Sequence, residues 1–301
     1  MAIKVQFLDL WARWLSPRLR PAVAKLNVGI ILFVAATAAW SQTQFPYTVL
    51  YKFPLAGPGQ FQQSATGNLA LDSLGSIYGA TTYGGPGLGN CFSGCGVAFK
   101  LSHGRYTNLD IFHSYPPSVP PSPWAPSSGL LRDKAGNLYG ETQSGGSGLF
   151  GTVYTIDPNG NETVLAPFDN NERNPVGGLM QDKAGDLLGV TQGNCIFGRG
   201  CGEIFKVDLA GNKTVLYTFP AGGLAGSNPQ SALVVDKEGN IYGTTFFGGA
   251  NLQLCQFDVA NSGCGVLFKL SPDGTVTVLH NFTGMADGGG PGGLAIDGLG
   301  T

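Results

Sequence analysis

Charged side chains are scarce in this chain: Asp, Glu, Lys and Arg make up 12% of its 301 residues, against about 25% in ordinary globular domains. Histidine occurs only at His103, His113 and His280, so catalysis or metal binding built on clustered imidazoles has little to draw on. No Gly-x-Ser-x-Gly elbow, His-Glu zinc pair or phosphate loop occurs, which removes familiar signatures of acyl transfer, metallopeptidase and nucleotide chemistry. After residue 40 no long 3.6-residue apolar period is sustained, so long amphipathic helices are not expected. Long apolar runs are missing as well. The one candidate, Leu26 to Trp40, contains Asn27 and falls short of the roughly 20 apolar residues that a spanning helix needs.

That run has a meaning of its own. Lys4, Arg13, Arg18, Arg20 and Lys25 precede it, and small residues at Ala35 to Ala39 lie towards its end. A basic region, a short apolar stretch and small residues form the pattern of a secretory signal. We expect residues 1–41 to be that signal, with cleavage between Ala38 and Gln42. An uncleaved membrane anchor is the alternative. Loss of the leader removes those five bases and Asp9 and leaves a net negative chain. A nucleic-acid footprint is therefore absent, and no second stretch is long enough to span a membrane.

What is abundant is glycine, 48 residues, roughly double the usual ~7% share. Hydrophobic residues still make up 43%, enough to build a core. Much of the glycine belongs to one recurring phrase: Leu-x-x-Asp, then Gly and a polar residue, then an apolar pair and Gly. It runs from Leu69 to Gly79, Leu130 to Gly140, Leu179 to Gly189 and Leu233 to Gly243, and restarts at Leu294-Ala295-Ile296-Asp297. A second phrase follows each copy: Val97–Leu101, Val153–Ile156, Ile204–Val207 and Val266–Leu270. A third is Thr-Val-Leu with Phe three residues on, as at Thr48 with Phe53, Thr163 with Phe168, Thr214 with Phe219 and Thr277 with Phe282. A fixed phrase at a period of about 50 to 60 residues signals a repeat architecture.

These stretches are short, β-branched or aromatic, and bounded by glycine, which are strand signals. Asp133-Lys134-Ala135-Gly136 and Asp157-Pro158-Asn159-Gly160 are tight-turn sequences, with Pro presetting one φ and Gly accepting a positive one. Each unit therefore reads as a four-stranded antiparallel meander that must pack against its neighbours. The expected fold is all-β, a β-propeller of four complete blades (67–113, 129–168, 178–220 and 232–283) plus a partial fifth (293–301), with an N-terminal strand at 47–53. A truncated or an open array fits the ending at Thr301, and a stacked β-solenoid is the rival architecture.

The string Gly-Asn-Leu-Tyr-Gly-x-Thr, the Gly-Gly that follows, Val-x-Phe-Lys-Leu and Thr-Val-Leu-Tyr-x-Phe resemble the GloVer tandem-repeat family of secreted bacterial proteins, known for a variable choice of C-terminal anchor. The resemblance covers residues 47–301. It implies export and a propeller-like array, often with a C-terminal sorting signal. It implies no particular reaction.

Six cysteines sit in one region of the unit, as Cys91 and Cys95, Cys195 and Cys201, and Cys255 and Cys264. An even count in an exported chain points to local disulfides. A zinc site is the alternative, but the pairs lie in different units with no His beside them. The loops between strands two and three, and between units, vary widely and share one face, and function tends to sit on such loops. The ligand-face candidates there are Phe92, Trp124, Phe150, Phe197, Arg199, Phe246, Phe247 and Phe257. A purely packing role for these aromatics is the rival reading. Glu141 would join an acid–base pair only if the fold brought Glu172 or Asp258 beside it.

The expectation is a secreted, non-catalytic binding or display scaffold for glycan, peptide or cell-envelope ligands, with no cofactor, metal or catalytic residue. A propeller-type lyase or hydrolase acting at a channel mouth, and an inert surface spacer, are the alternatives.

Overall fold

The computed structural model describes residues 48–53, 65–85, 91, 94–113, 122–170, 172, 174–193, 201–220, 223–250, 255, 263–295. The expected signal segment 1–41 lies outside them. The chain divides after Val49, and the unit from Leu50 onward holds every described strand. No helix occurs among the described residues, and none is long and apolar enough to cross a membrane.

Four antiparallel sheets follow one another in the chain. The first is β1 (Ala65–Leu71), β2 (Ile77–Thr81), β3 (Val97–Ser102) and β4 (Arg105–Ile111). In the second, β5 (Trp124–Pro126) and β6 (Leu131–Arg132) both pair with β7 (Leu138–Ser144), followed by β8 (Thr152–Ile156) and β9 (Glu162–Pro167). The third is β10 (Pro175–Gln181), β11 (Leu187–Thr191), β12 (Glu203–Val207) and β13 (Lys213–Thr218). The fourth repeats the second's pattern: β14 (Ser227–Pro229) and β15 (Val234–Val235) on β16 (Ile241–Phe247), then β17 (Val266–Leu270) and β18 (Val276–Asn281). The sequence's expectation of an all-β chain of four-stranded antiparallel units is met.

The repeated aspartate explains the first hairpin of each sheet. Oδ1 of Asp72, Asp133, Asp182 and Asp236 accepts the backbone N–H four residues on, at 2.8, 2.8, 3.0 and 2.8 Å. Oδ2 of three of them accepts a tyrosine hydroxyl from the following strand: Tyr78 on Asp72 at 3.0 Å, Tyr139 on Asp133 at 3.1 Å and Tyr242 on Asp236 at 2.9 Å. Hydrogen bonds to the charged form favour it. The N–H of Ser76 and the Tyr78 hydroxyl hold Asp72 down to about 2, and the Asn240 amide does the same for Asp236.

A second rule locks the middle of each sheet. Gly79, Gly140, Gly189 and Gly243 face Phe99, Tyr154, Phe205 and Phe268 across the strand pair. Each aromatic ring lies over its glycine: a methyl on Gly189 would meet the Phe205 ring at 2.5 Å, and one on Gly243 the Phe268 ring at 2.5 Å. The glycine of the Tyr-Gly step is thus fixed by a crossing ring, the arrangement that shields an otherwise bare strand position.

The sheets bury both faces by stacking on one another. One buried cluster joins Tyr78, Ala98 and Phe112 of the first sheet to Leu138, Tyr154 and Ile156 of the second. Another joins Tyr139 and Phe168 to Leu187 and Phe205, and a third joins Leu188 and Phe219 to Ile241 and Phe268. At each junction the last aromatic of one unit meets the crossing ring of the next edge-on. Phe112 and Tyr154 are 5.1 Å apart between centroids, Phe168 and Phe205 5.0 Å, and Phe219 and Phe268 5.3 Å. Phe53 meets Phe99 the same way at 5.5 Å. Residues 51–53 therefore occupy, against the first sheet, the place that each unit's last strand takes against its successor.

Candidate functional site: a neutral cavity behind the inner strands

The first strand of every unit is broken in its middle. Pairing shifts register between Thr66 and Ala70 in β1 and between Val176 and Met180 in β10. The same break separates β5 from β6 and β14 from β15. Bulges free backbone and aim side chains out of the ladder. Gly67 and Gly177 accept φ of 61° and 87° there, values that suit glycine. A Cβ on Gly129 would collide with the backbone of Asn68, so inner strands of successive sheets touch main chain to main chain.

These broken segments converge on a cavity of about 700 Å³. Its wall draws on all five copies of the repeat: Asn68, Ser127, Gln143, Gln192 and Gln230, with Gly292 to Ala295 from the fifth. Among the described lining residues none is charged, and none is His or Cys. The serines are already engaged. Ser127 Oγ donates to the Pro175 carbonyl at 2.7 Å, and Ser128 Oγ donates to the Gly129 carbonyl at 3.2 Å. Ser128 also interacts with the buried carboxyl of Glu141. The amides of Asn68, Gln143, Gln192 and Gln230 each bring donors and an acceptor, so this wall can bind through hydrogen bonds without a charge.

Behind the wall lies Glu141 of β7, fully buried. Its Oε2 accepts the Gly178 N–H at 3.0 Å, while Oε1 has no donor. Burial drives this carboxyl up to about 8, against the opposing pull of Ser128 and Gly178. The partners considered from sequence are not beside it: Glu172 is paired with Lys213, and Asp258 lies outside the described residues. A different carboxyl pair appears instead on the outer strands. Glu162 of β9 lies near Asp110 of β4 and is pushed up to about 8 by burial and by that neighbour's charge. Sequence spacing could not show this pair, because the two residues meet only across the junction of sheets one and two.

Of the ligand-face candidates, Phe92, Phe197, Arg199 and Phe257 lie outside the described residues. Trp124 opens β5 and packs against the buried cluster between sheets one and two. Phe150 bridges to Gly145, and its carbonyl accepts the Asn174 N–H at 3.1 Å. Phe246 and Phe247 end β16 with rings 4.8 Å apart. All four are half-buried, and none lines the cavity. The cavity amides carry a faint sequence signal: Gln143 follows Tyr139-Gly140-Glu141-Thr142, and Gln192 follows the equivalent Leu188-Gly189-Val190-Thr191.

Cys91 is bonded to Cys95 and Cys255 to Cys264, with Cα–Cα separations of 5.3 and 5.1 Å. Cys201 is also disulfide-bonded, and Cys195 lies outside the described residues. Replacing Cys91 and Cys95 by Ala should cost about 2 kcal/mol, because so short a loop loses little entropy on closure. Denaturant midpoints measured at equal m-values check that figure. His280 pairs with Asp287 at 3.0 Å in an exposed setting.

A model of the Gloeobacter/Verrucomicrobia repeat matches residues 64–301. No curated protein matches the chain. Among solved structures, a gluconolactonase from Xanthomonas campestris is 14% identical, with TM-score 0.47, covering 78% of this chain and 66% of its own. A protein of unknown function from Dyadobacter fermentans is 13% identical, with TM-score 0.44, covering 71% of this chain and 68% of its own. A protein from Lactobacillus plantarum is 13% identical, with TM-score 0.42, covering 82% and 61%. This chain thus spans about two thirds of the length of those proteins, and likeness at this level carries no activity across.

Proposed function

The chain belongs to the Gloeobacter/Verrucomicrobia repeat family, and from that premise we propose an exported, non-catalytic binding scaffold whose axial cavity takes a neutral, hydroxyl-rich ligand of the glycan class. The array is then a β-propeller of four full blades and the beginning of a fifth. The observation that carries the reading is the uncharged amide wall contributed by successive repeats. Sugar hydroxyls both donate and accept, and amide side chains answer both needs without paying to desolvate a charge. Local disulfides support a place outside the cytoplasm. Trp124, Phe246 and Phe247 are proposed as apolar contacts on the adjoining loop face.

A lyase or hydrolase reading draws on Glu141, which keeps its proton at neutral pH. Its carboxyl is sealed from solvent, which favours binding over catalysis. Glycan-array screening of the purified chain tests the proposal. Replacing Gln143, Gln192 and Gln230 together by Ala should weaken any array hit at least tenfold, at roughly 1 kcal/mol per hydrogen bond lost. An unchanged hit would move the ligand out of the cavity, and turnover of the glycan would end the non-catalytic reading.

A further inference from the structure

On the face opposite the variable loops, two equivalent junctions can be compared within one molecule. Between sheets one and two there is a groove of about 270 Å³, lined by Tyr78, Lys100, Arg132 and Leu138. Between sheets three and four the corresponding groove is about 600 Å³, lined by Leu188, Lys206, Val235 and Ile241. Strand register makes the correspondence explicit: Tyr78 pairs with Lys100, and Leu188 with Lys206. Two replacements account for the difference. Leu188 stands where units one, two and four have Tyr78, Tyr139 and Tyr242, and Val235 stands where unit two has Arg132.

In the narrow groove the tyrosine ring fills the space. Lys100 lies 5.1 Å and Arg132 5.5 Å from the Tyr78 ring centre, and the hydroxyl ends on Asp72 Oδ2 at 3.0 Å. In the wide groove the ring is gone, but its surroundings are kept. Asp182 lines the cavity in the place of Asp72. Its Oδ1 is engaged by the N–H groups of Ala184 and Asp186, at 2.8 and 3.0 Å, as in units one and four. Its Oδ2 receives no tyrosine hydroxyl, because residue 188 has none. Lys206 stays at the rim, held to Asp186 at 2.7 Å, where it can lie over a ring face.

The geometry points to a second binding site here, for a small single-ring phenol. The ring takes the volume of the missing tyrosine side chain over Leu188, Val235 and Ile241, and its hydroxyl donates to Asp182. The apolar part of this open groove, Leu188, Val235 and Ile241, offers a ring surface to bury, and a donor to a carboxylate adds orientation and affinity. The site is independent of the axial cavity, with which it shares no lining residue.

The test titrates the full chain with p-cresol, following NMR shifts and melting temperature, with toluene as a ring of the same size lacking the donor. Saturable p-cresol binding that raises the melting temperature is expected, with toluene at least tenfold weaker, the factor for one hydrogen bond to a charged acceptor. Leu188→Tyr restores the residue found in the other units and should abolish the p-cresol response while leaving the fold intact. Val235→Arg, copied from unit two, narrows the same groove and should weaken binding if the first variant fails to fold. No saturable p-cresol binding, or equal binding by either folded variant, overturns the site. Equal binding of toluene and p-cresol overturns the role of Asp182.

Discussion

Phe205→Ala should lower unfolding free energy by about 3–5 kcal/mol, the range for deleting a fully buried aromatic. Phe205 is fully buried and works in two directions. Within its sheet the ring covers Gly189, and across the junction it meets Phe168 edge-on at 5.0 Å. Alanine leaves a void against both, and the glycine backbone cannot close it by shifting a side chain that it lacks. Leu279→Ala on the exposed side of β18 is the contrast, since Leu279 is about half exposed and its loss should stay within about 0.5 kcal/mol. Urea denaturation of both variants checks the pair. A Phe205→Ala loss below about 1 kcal/mol would mean that the crossing rings do not hold the sheets together.

The second large effect has the opposite sign. Glu141→Gln should stabilise the protein above about pH 5, and the gain should grow with pH. In the unfolded chain this carboxyl loses its proton near its ordinary 4.5, whereas in the folded protein it holds it to about 8. Between those values the folded state binds the extra proton, so native stability falls as pH rises. The slope is about 1.4 kcal/mol per pH unit, on the order of 5 kcal/mol across the window. Above pH 8 both states are ionised and the penalty stops growing. The glutamine amide keeps the size and can still accept the Gly178 N–H, while never ionising. Glu162, raised by burial and then by the charge of Asp110, is shifted in the same direction, so Glu162→Gln serves as the parallel control. Melting temperatures of wild type and both variants from pH 4 to 9 give the answer. A wild-type profile flat from pH 5 to 8, with Glu141→Gln running parallel to it, would show that Glu141 ionises freely in the folded protein.

Much of the fold could be read from residues alone, and for a stated reason. Each recurring position does one local job: Asp133 caps its turn, Gly140 admits a ring, and Thr142 bonds the Ser144 carbonyl at 2.9 Å. Local jobs leave local patterns, and four copies make the patterns visible. The cavity amides were harder to see. Gln143 and Gln192 line one cavity only once separate sheets are packed together, and nothing in their own neighbourhood announces that. Trp124 sits on a variable segment, yet it packs on the core, because a large apolar ring beside a sheet end is drawn to whatever surface is apolar.

Turn chemistry, strand alternation and cysteine spacing act over a few residues, so an array of glycine-rich, four-stranded β units stapled by short disulfide loops is legible in the chain itself. Which departures from the repeat matter is settled by packing between sheets. Glu141 becomes a protonated acid because sheets two and three close over it, and Leu188 opens a groove because sheet four stands opposite. Both outcomes depend on distances between residues far apart in the chain, where burial and charge are set by neighbours that no single repeat contains.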